Sequence, residues 1–507
     1  MFKTTTGLPP QEEAFGQILH ERSRKGIRTS IAQLLDRFIF WALLVLIAFA
    51  VVPYGTVEPW SVALFESAAF ILGALWMIEG FLSGSWLKRG HRLVLPLLAL
   101  TLLAMVQTLP LLQATPHATG IESARLLAIS DDPYETRLFA LKCLALAICL
   151  SLLIRYTSTR FRLRSLINFV IGIGVASALF SILRQTLQHG KGGFVLPYLL
   201  PNTGYGLFIN KNHFAFLMEM VFGLVLGLIF GGGIKRERIL IYIAMIAPIW
   251  MALVLSSSRG GIFSMLCQVF FAGLLLTMML PTQFTAPQSK LMSRLWRLAN
   301  SLFFRFLLIA GLVTALVVCV IWVGGDQLTT KFEAAKDEST GEVSNPREGA
   351  RRMDIWAATW QSIKANPITG IGFGGYWVTV VKYHNASGEV TPQQAHNDYL
   401  EVLASGGLFG ALLLCWFLFL LITAARKRLQ LNDSFRRAAC AGALVGLFGV
   451  AVHSFVEFGL HITINSLICL ALIVIATAEI EAEEVSLPRN TSLINKTDPA
   501  KYLPEVA

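Results

Sequence analysis

Apolar residues in this chain gather into runs long enough to cross a hydrocarbon core of about 30 Å, and such runs recur from one end to the other. They predict membrane-spanning helices near residues 38–52, 60–81, 93–110, 137–154, 164–184, 212–231, 239–255, 260–280, 302–324, 400–423, 438–457 and 462–480, about twelve in all. Polar stretches frame and interrupt the series. The expected organisation is a polar segment over 1–37, helices one to nine within 38–324, a long connection over 325–396, helices ten to twelve within 397–480, and a tail over 481–507. The pattern is that of an all-α polytopic membrane protein.

Composition supports the pattern. Hydrophobic residues make up 55% of the 507 and charged residues only 14%, well short of the roughly 25% charged residues of a soluble domain. Mean hydropathy is +0.62. Cys143, Cys149, Cys267, Cys319, Cys415, Cys440 and Cys469 all fall inside or at the edge of the apolar runs, without paired spacing in an aqueous loop. They read as small core residues, not as a disulfide framework or a metal cage. No small-residue cleavage site follows the first apolar run, so that run is expected to be a retained helix and not a removed signal peptide.

Lysine and arginine orient the chain. With Arg22, Arg24, Lys25 and Arg28 placed in the cytoplasm, every second connection is again basic, as cationic short loops on the cytoplasmic side should be. These connections carry Lys88, Arg89 and Arg92; Arg155, Arg160, Arg162 and Arg164; Lys235, Arg236 and Arg238; Lys290, Arg294 and Arg297; and Arg426, Lys427, Arg428, Arg436 and Arg437. The opposite connections near 53–59 and 457–461 carry none, and that near 111–135 carries only Arg125. Both termini are therefore expected in the cytoplasm. The net charge of +11 is largely a topology signal, and nothing else supports nucleic-acid binding.

The same alternation sends most of the candidate chemistry to the outer side. NKNHFA (210–215), SSSRGG (256–261), the connection over 325–394, His396, and His453, Glu457 and His461 all collect there. The long connection far exceeds the 2–8 residues usual between packed helices. Its segment MDIWAATWQSIKANP places Ile355, Trp356, Trp360 and Ile363 at helical spacing and ends at Asn366-Pro367, which predicts a short amphipathic helix suited to a membrane interface. GIGFGG (370–375) predicts a tight turn; without a preceding strand it is a weak nucleotide signal. AHNDYLEVLASGGLFGALLL (395–414) then sets His396, Asn397 and Asp398 at the mouth of an apolar helix, where buried polar groups are costly and mark a functional site.

Taken in order, NKNHFA, SSSRGG, RRMDIW followed by NPITGIGFGGY (351–376), AHNDYLEVLASGGLFG (395–410) and HSFVEFGLHITIN (453–465) resemble the O-antigen ligase and O-antigen polymerase superfamily of bacterial envelope glycosyltransferases. The resemblance covers about residues 200–480. It implies a helical membrane fold of the lipid-linked-sugar glycosyltransferase (GT-C) type. The implied activity joins a glycan carried on undecaprenyl diphosphate to an acceptor on the periplasmic face of the inner membrane. The implied acceptor is lipid A core for a ligase, the sugar end of a second lipid-linked glycan for a polymerase, or a protein side chain for an oligosaccharyltransferase. Membrane lipids surround the protein, and neither nucleotide sugar, metal nor other cofactor is implied. One departure stands out: ligases tend to carry leucine four residues after the arginine of SSSRGG, where this chain has Phe263. The ligase and polymerase branches stay open.

The residues suit that chemistry on physical grounds. A glycan leaving a polyprenyl diphosphate deposits negative charge on phosphate oxygens, and fixed cations stabilise that transition state. Arg259 is the foremost candidate because guanidinium pairs phosphate bidentately and stays charged; the competing reading is a helix-end anchor that snorkels to the interface. His396 is the candidate base, since imidazole titrates nearest neutral pH. Asn397 and Asp398 are substrate-binding candidates and equally ordinary helix caps. Lys211 and His213, at a helix start, suit a diphosphate or simply cap an interfacial helix. Arg352 matches the superfamily's outer-loop arginine. His453, Glu457 and His461, spaced i, i+4, i+8, line one helical face as far as the helix continues and read as a polar pocket lining. Zinc hydrolase helices place the glutamate next to the first histidine, so no metal is assigned.

A carrier without catalysis, such as a lipid-linked glycan flippase, also has about this many helices. Such proteins keep charged sites at the bilayer midplane and often show repeated halves. This chain shows no internal repeat, and its midspan charges are few, Lys142 and Glu219 among them.

Overall fold

The computed structural model describes residues 10–85, 91–113, 126–188, 204–279, 310, 314, 352–384 and 392–480. Within them lie helices α1 (Pro10–Val51), α2 (Pro59–Ser83), α3 (Leu95–Gln107), α4 (Pro133–Tyr156), α5 (Arg160–Gln188), α6 (Lys211–Phe230), α7 (Ile239–Leu255) and α8 (Arg259–Met279). After the long connection come α9 (Arg352–Ala365), the single turn α10 (Tyr376–Thr379), α11 (Asp398–Leu429), α12 (Ser434–His453) and α13 (Thr463–Thr477). Among the described residues, eight stretches are long and apolar enough to cross a membrane, and His91–Gln107, Arg259–Leu275 and Thr463–Thr477 are shorter apolar helices. The chain is an all-α polytopic membrane protein. The span expected over 302–324 and the basic connection with Lys290, Arg294 and Arg297 lie outside the described residues.

Local chemistry sets the helix ends. Asp132 accepts hydrogen bonds from the amides of Tyr134 and Glu135 ahead of Pro133, and Asn210, Asn397 and Asp433 cap α6, α11 and α12 in the same manner. Each satisfies amide groups that the first helical turn leaves without a partner. Helix α1 begins at Pro10, so the polar N-terminal segment is helical well before the apolar run. Helix α12 stops at His453, four residues short of the expected end. Between α3 and α4 a short antiparallel ribbon, β1 (Pro110–Gln113) with β2 (Leu126–Ala128), interrupts the otherwise helical architecture.

Helices α6, α8 and α12 form the tightest part of the core. A Cβ on Gly223 would lie 2.5 Å from the Gly446 nitrogen, and one on Gly227 would lie 2.2 Å from the Gly442 Cα. Only glycine permits this approach, and close backbone packing is what associates helices where lipid is as apolar as leucine. Outside this core, Leu240, Ile241, Leu412, Phe419 and Ile422 of α7 and α11 are exposed, as lipid-facing surfaces require.

The helix ends sort into two sets. At one end the Ile464 amide donates to the Gly55 carbonyl, Asp131 to Ile371 and Asp398 to Ser454. At the other, Arg155 pairs with Glu79, Arg160 with Asp433, Arg162 with Asp36 and Arg428 with Glu479. Connections of one parity thus meet one another at one end, and those of the other parity meet at the opposite end through arginine ion pairs.

Helix α11 is broken at Gly407, whose φ of 58° and ψ of −150° are not helical. The break frees carbonyls for the glycine-rich turn. Ile371 and Gly372 donate to the carbonyls of Ala404 and Ser405, each at 3.0 Å, and Leu408 donates to Pro367 at 2.9 Å. Gln107 of α3 ties the two together, its Nε2 donating to the carbonyls of Thr369 and Ser405. GIGFGG is therefore a turn, as expected, and it locks the outer connection onto α11 just below the His396 segment.

Candidate active site

Glu457 is the centre of the polar end. It lies in the turn after α12 with 1% of its side chain exposed. Its Oε1 accepts from His396 Nδ1 at 2.8 Å, and its Oε2 accepts from Arg352 Nη2 at 3.1 Å and Asn212 Nδ2 at 2.5 Å. Ser258 Oγ in turn donates to Asn212 Oδ1 at 2.9 Å, which fixes the amide's orientation. Burial pushes the carboxyl up, but the hydrogen bond and charge of His396, with Arg352 and His213 behind it, override burial and hold its pKa at about 2. A group with that pKa is ionised at neutral pH and can only accept. His396 Nδ1 is therefore the donor in this bond, and Nε2 is the ring nitrogen not bound to Glu457.

His396 sits on an unusual backbone. Its φ is +48°, in the left-handed region that residues with a Cβ rarely adopt. Neighbouring bonds bracket it. Asn397 Oδ1 accepts from the Leu400 amide and its Nδ2 donates to the Phe455 carbonyl, while the Asp398 amide donates to the Ser454 carbonyl and its Oδ2 accepts from Ser454 Oγ. Asn397 is thus a cap that also ties α11 to the turn after α12.

Phe458 is the common neighbour of the imidazoles. His213 and His396 each stand edge to face with it at 4.8 Å between ring centroids, and His461 does so at 5.9 Å. His461 Nε2 lies 3.3 Å from Glu401 Oε1 and 3.9 Å from Asp398 Oδ1, and its carbonyl accepts from Lys142 Nζ at 2.6 Å.

His453 departs from the expected row. Because α12 ends there, the i, i+4, i+8 face does not continue. Instead His453 Nδ1 meets Glu219 Oε2 at 3.1 Å inside the bundle and its ring stacks on Phe216 at 4.1 Å, whereas Glu457 and His461 turn to α9, α11 and the His396 segment. The spacing reflects a helix end, with three side chains sent to three different partners.

Residues 243–415 match the family model described as O-antigen ligase. That stretch runs from α7 through the broken part of α11 and contains Arg259, Arg352 and His396. Over this stretch, about a third of the chain, the protein is similar to the O-antigen ligase family, which supports the resemblance to the O-antigen ligase and polymerase superfamily. No curated protein matches the chain. The activity that goes with the O-antigen ligase domain is glycan transfer of the ligase or polymerase kind, between a lipid-linked glycan and an acceptor.

Within the O-antigen ligase domain, Arg259 is the exposed first residue of α8. It follows directly on Ser258, and so stands one residue from the Asn212–Glu457 chain of bonds that leads to His396. The next residue, Gly260, packs so closely that a Cβ there would meet His453 Nε2 at 2.6 Å. Lys211 opens α6 beside Asn212, and His213, two residues after Lys211, is buried, its Nε2 without a hydrogen-bond partner among the described residues. The structure thus gathers His396, Glu457, Arg352 and His461 around one turn, with Arg259 and Lys211 at the adjoining helix starts.

Asn212, Ser258, Phe458 and Glu401 are the residues sequence reasoning passed over. Asn212 lies between two residues that were singled out, and Ser258 directly precedes Arg259. Their proximity in sequence was the available signal. Glu401 and Phe458 carried none, since a glutamate in a first helical turn and an aromatic near a membrane surface are both ordinary.

Proposed function

We propose that the protein transfers a glycan from undecaprenyl diphosphate to an acceptor hydroxyl on the periplasmic face of the bacterial inner membrane, as an O-antigen ligase or a surface polysaccharide polymerase. The observation that carries this reading is the His396–Glu457 pair, with Arg352 on the same carboxylate. A buried, ionised acid that fixes the tautomer of a partly exposed histidine is the arrangement of a general base.

In this reading His396 Nε2 removes the proton of the acceptor hydroxyl as its oxygen attacks the anomeric carbon. Glu457 stabilises the imidazolium that results. The bond between the anomeric carbon and the phosphate oxygen breaks, and the electron pair leaves with undecaprenyl diphosphate. Arg259 and Lys211, each the first residue of its helix, stand where the helix N-terminus already favours an anion, and they offset the charge that develops on the diphosphate. These cations supply the electrophilic assistance, so the proposed reaction is metal-independent and needs no nucleotide sugar. The periplasmic assignment of this end rests on the basic connections at the opposite end, which places both termini in the cytoplasm.

The test is a reconstitution with purified protein, an undecaprenyl-diphosphate-linked glycan, either lipid A core or a second lipid-linked glycan, and a chelator, without ATP. Formation of a new glycosidic bond is expected, and the acceptor that works separates ligase from polymerase. Movement of the lipid-linked glycan across a bilayer with no bond formed would make the protein a carrier and overturn the proposal.

A further inference from the structure

The left-handed backbone at His396 needs a restraint on its N-terminal side as well as the one that Asn397 and Asp398 provide. It has one. Both polar groups of the Ala395 backbone are held by side chains: the Ala395 amide donates to Glu401 Oε2 at 2.9 Å, and the Ala395 carbonyl accepts from Trp356 Nε1 at 3.0 Å. Ala395 is fully buried, so neither group can turn to water instead.

We infer that Trp356 and Glu401 are positioning residues that clamp the Ala395 backbone and thereby hold His396 in the conformation that presents it to Glu457. The Ala395 carbonyl belongs to the peptide unit whose nitrogen is that of His396, so fixing it fixes the plane about which the His396 φ is measured. The bonds of Asn397 and Asp398 to Phe455 and Ser454 fix the following side. A residue with a Cβ keeps a positive φ only where its surroundings over-determine it, and such sites cluster where geometry is part of the mechanism.

Helix α9 gives the clamp its reach. Arg352 and Trp356 are four residues apart, one turn on the same helical face, and they hold the two halves of the pair separately: Arg352 binds Glu457, and Trp356 binds the peptide before His396. The amphipathic helix therefore does more than cover the bundle. Its docking registers imidazole against carboxylate.

The inference rests on the reading of His396 as the base, and the experiment separates the two. Trp356→Phe keeps an aromatic ring for packing and removes the donor. It is expected to lower kcat about 10- to 100-fold with little change in KM for the lipid-linked donor, since a displaced base affects the chemical step. Glu401→Met should do the same, and Glu401→Gln, which keeps an acceptor oxygen, should recover most of the rate. Adding Trp356→Phe to His396→Ala should cost nothing further, because residues that act through one another are not additive. Hydrogen–deuterium exchange over residues 392–400 should quicken in Trp356→Phe whether or not the protein is active. Unchanged exchange together with a wild-type kcat would overturn the clamp. An active His396→Ala variant would instead overturn the base assignment and leave the exchange result to decide the clamp alone.

Discussion

At the residue scale the site depends on the state of one carboxylate. The Glu457 pKa falls from 4.5 to about 2, so its contribution to the folded protein is fully present above about pH 4.5 and is lost as the pH drops toward 2. Glu457→Gln removes the charge at nearly constant volume and leaves Arg352 and His396 facing a neutral amide. It should lower both Tm and the rate of glycan transfer. The Tm gap between the two proteins should close as the pH falls from 4.5 to 2; a gap that stays constant over that range would show that the charge does not matter to stability. Arg259→Ala tests the other charge. Losing one donor to developing negative charge costs about 10² to 10³ in rate, and lysine, which lacks the bidentate fork, should restore only part of it. A correctly inserted Arg259→Ala protein with normal transfer would remove Arg259 from the leaving-group role.

At the scale of elements, the break in α11 joins membrane bundle to outer connection. Gly407 combines a positive φ with close packing, since a Cβ there would lie 2.4 Å from the Ile368 carbonyl oxygen. Gly407→Ala should therefore destabilise the protein by at least about 1–3 kcal/mol for the backbone conformation alone. It should also loosen the glycine turn, and with it α9 and its hold on Glu457. Thermal denaturation and transfer assays on the same sample would register both losses; a variant of unchanged Tm would show that the break is not needed. The amphipathic pattern over 352–365 was legible because helical periodicity is local. Its buried face was less so. Ile355, Ala358, Thr359, Ser362 and Ile363 are buried, while Trp360 is exposed and Trp356 is turned to Ala395, so two tryptophans that shared one expected interfacial role have different surroundings.

For the whole molecule, the prediction is one of sidedness. Single cysteines placed near Arg352 and near Asp433 in an otherwise cysteine-free protein should react with a membrane-impermeant thiol reagent from opposite faces, the first from the periplasm. Reaction of both from the same face would contradict the alternation on which the periplasmic site rests. The sequence by itself determined the membrane class, the position of nearly all described helices, Asn397 and Asp398 as the two candidate caps of α11, and the expected gathering of polar residues at alternate helix ends. Hydropathy and capping are properties of a few consecutive residues, so a linear reading reaches them. Tertiary structure alone decided who meets whom. Glu457 finds His396, Arg352 and Asn212 across 61, 105 and 245 residues, while His453, in register with Glu457 by spacing, turns to Glu219 instead. Those choices follow from where α12 ends, how closely α6 and α12 pack through their glycines, and how the turn at Gly407 carries α9 over the bundle. Each is a long-range outcome of packing, and no short window of sequence contains it.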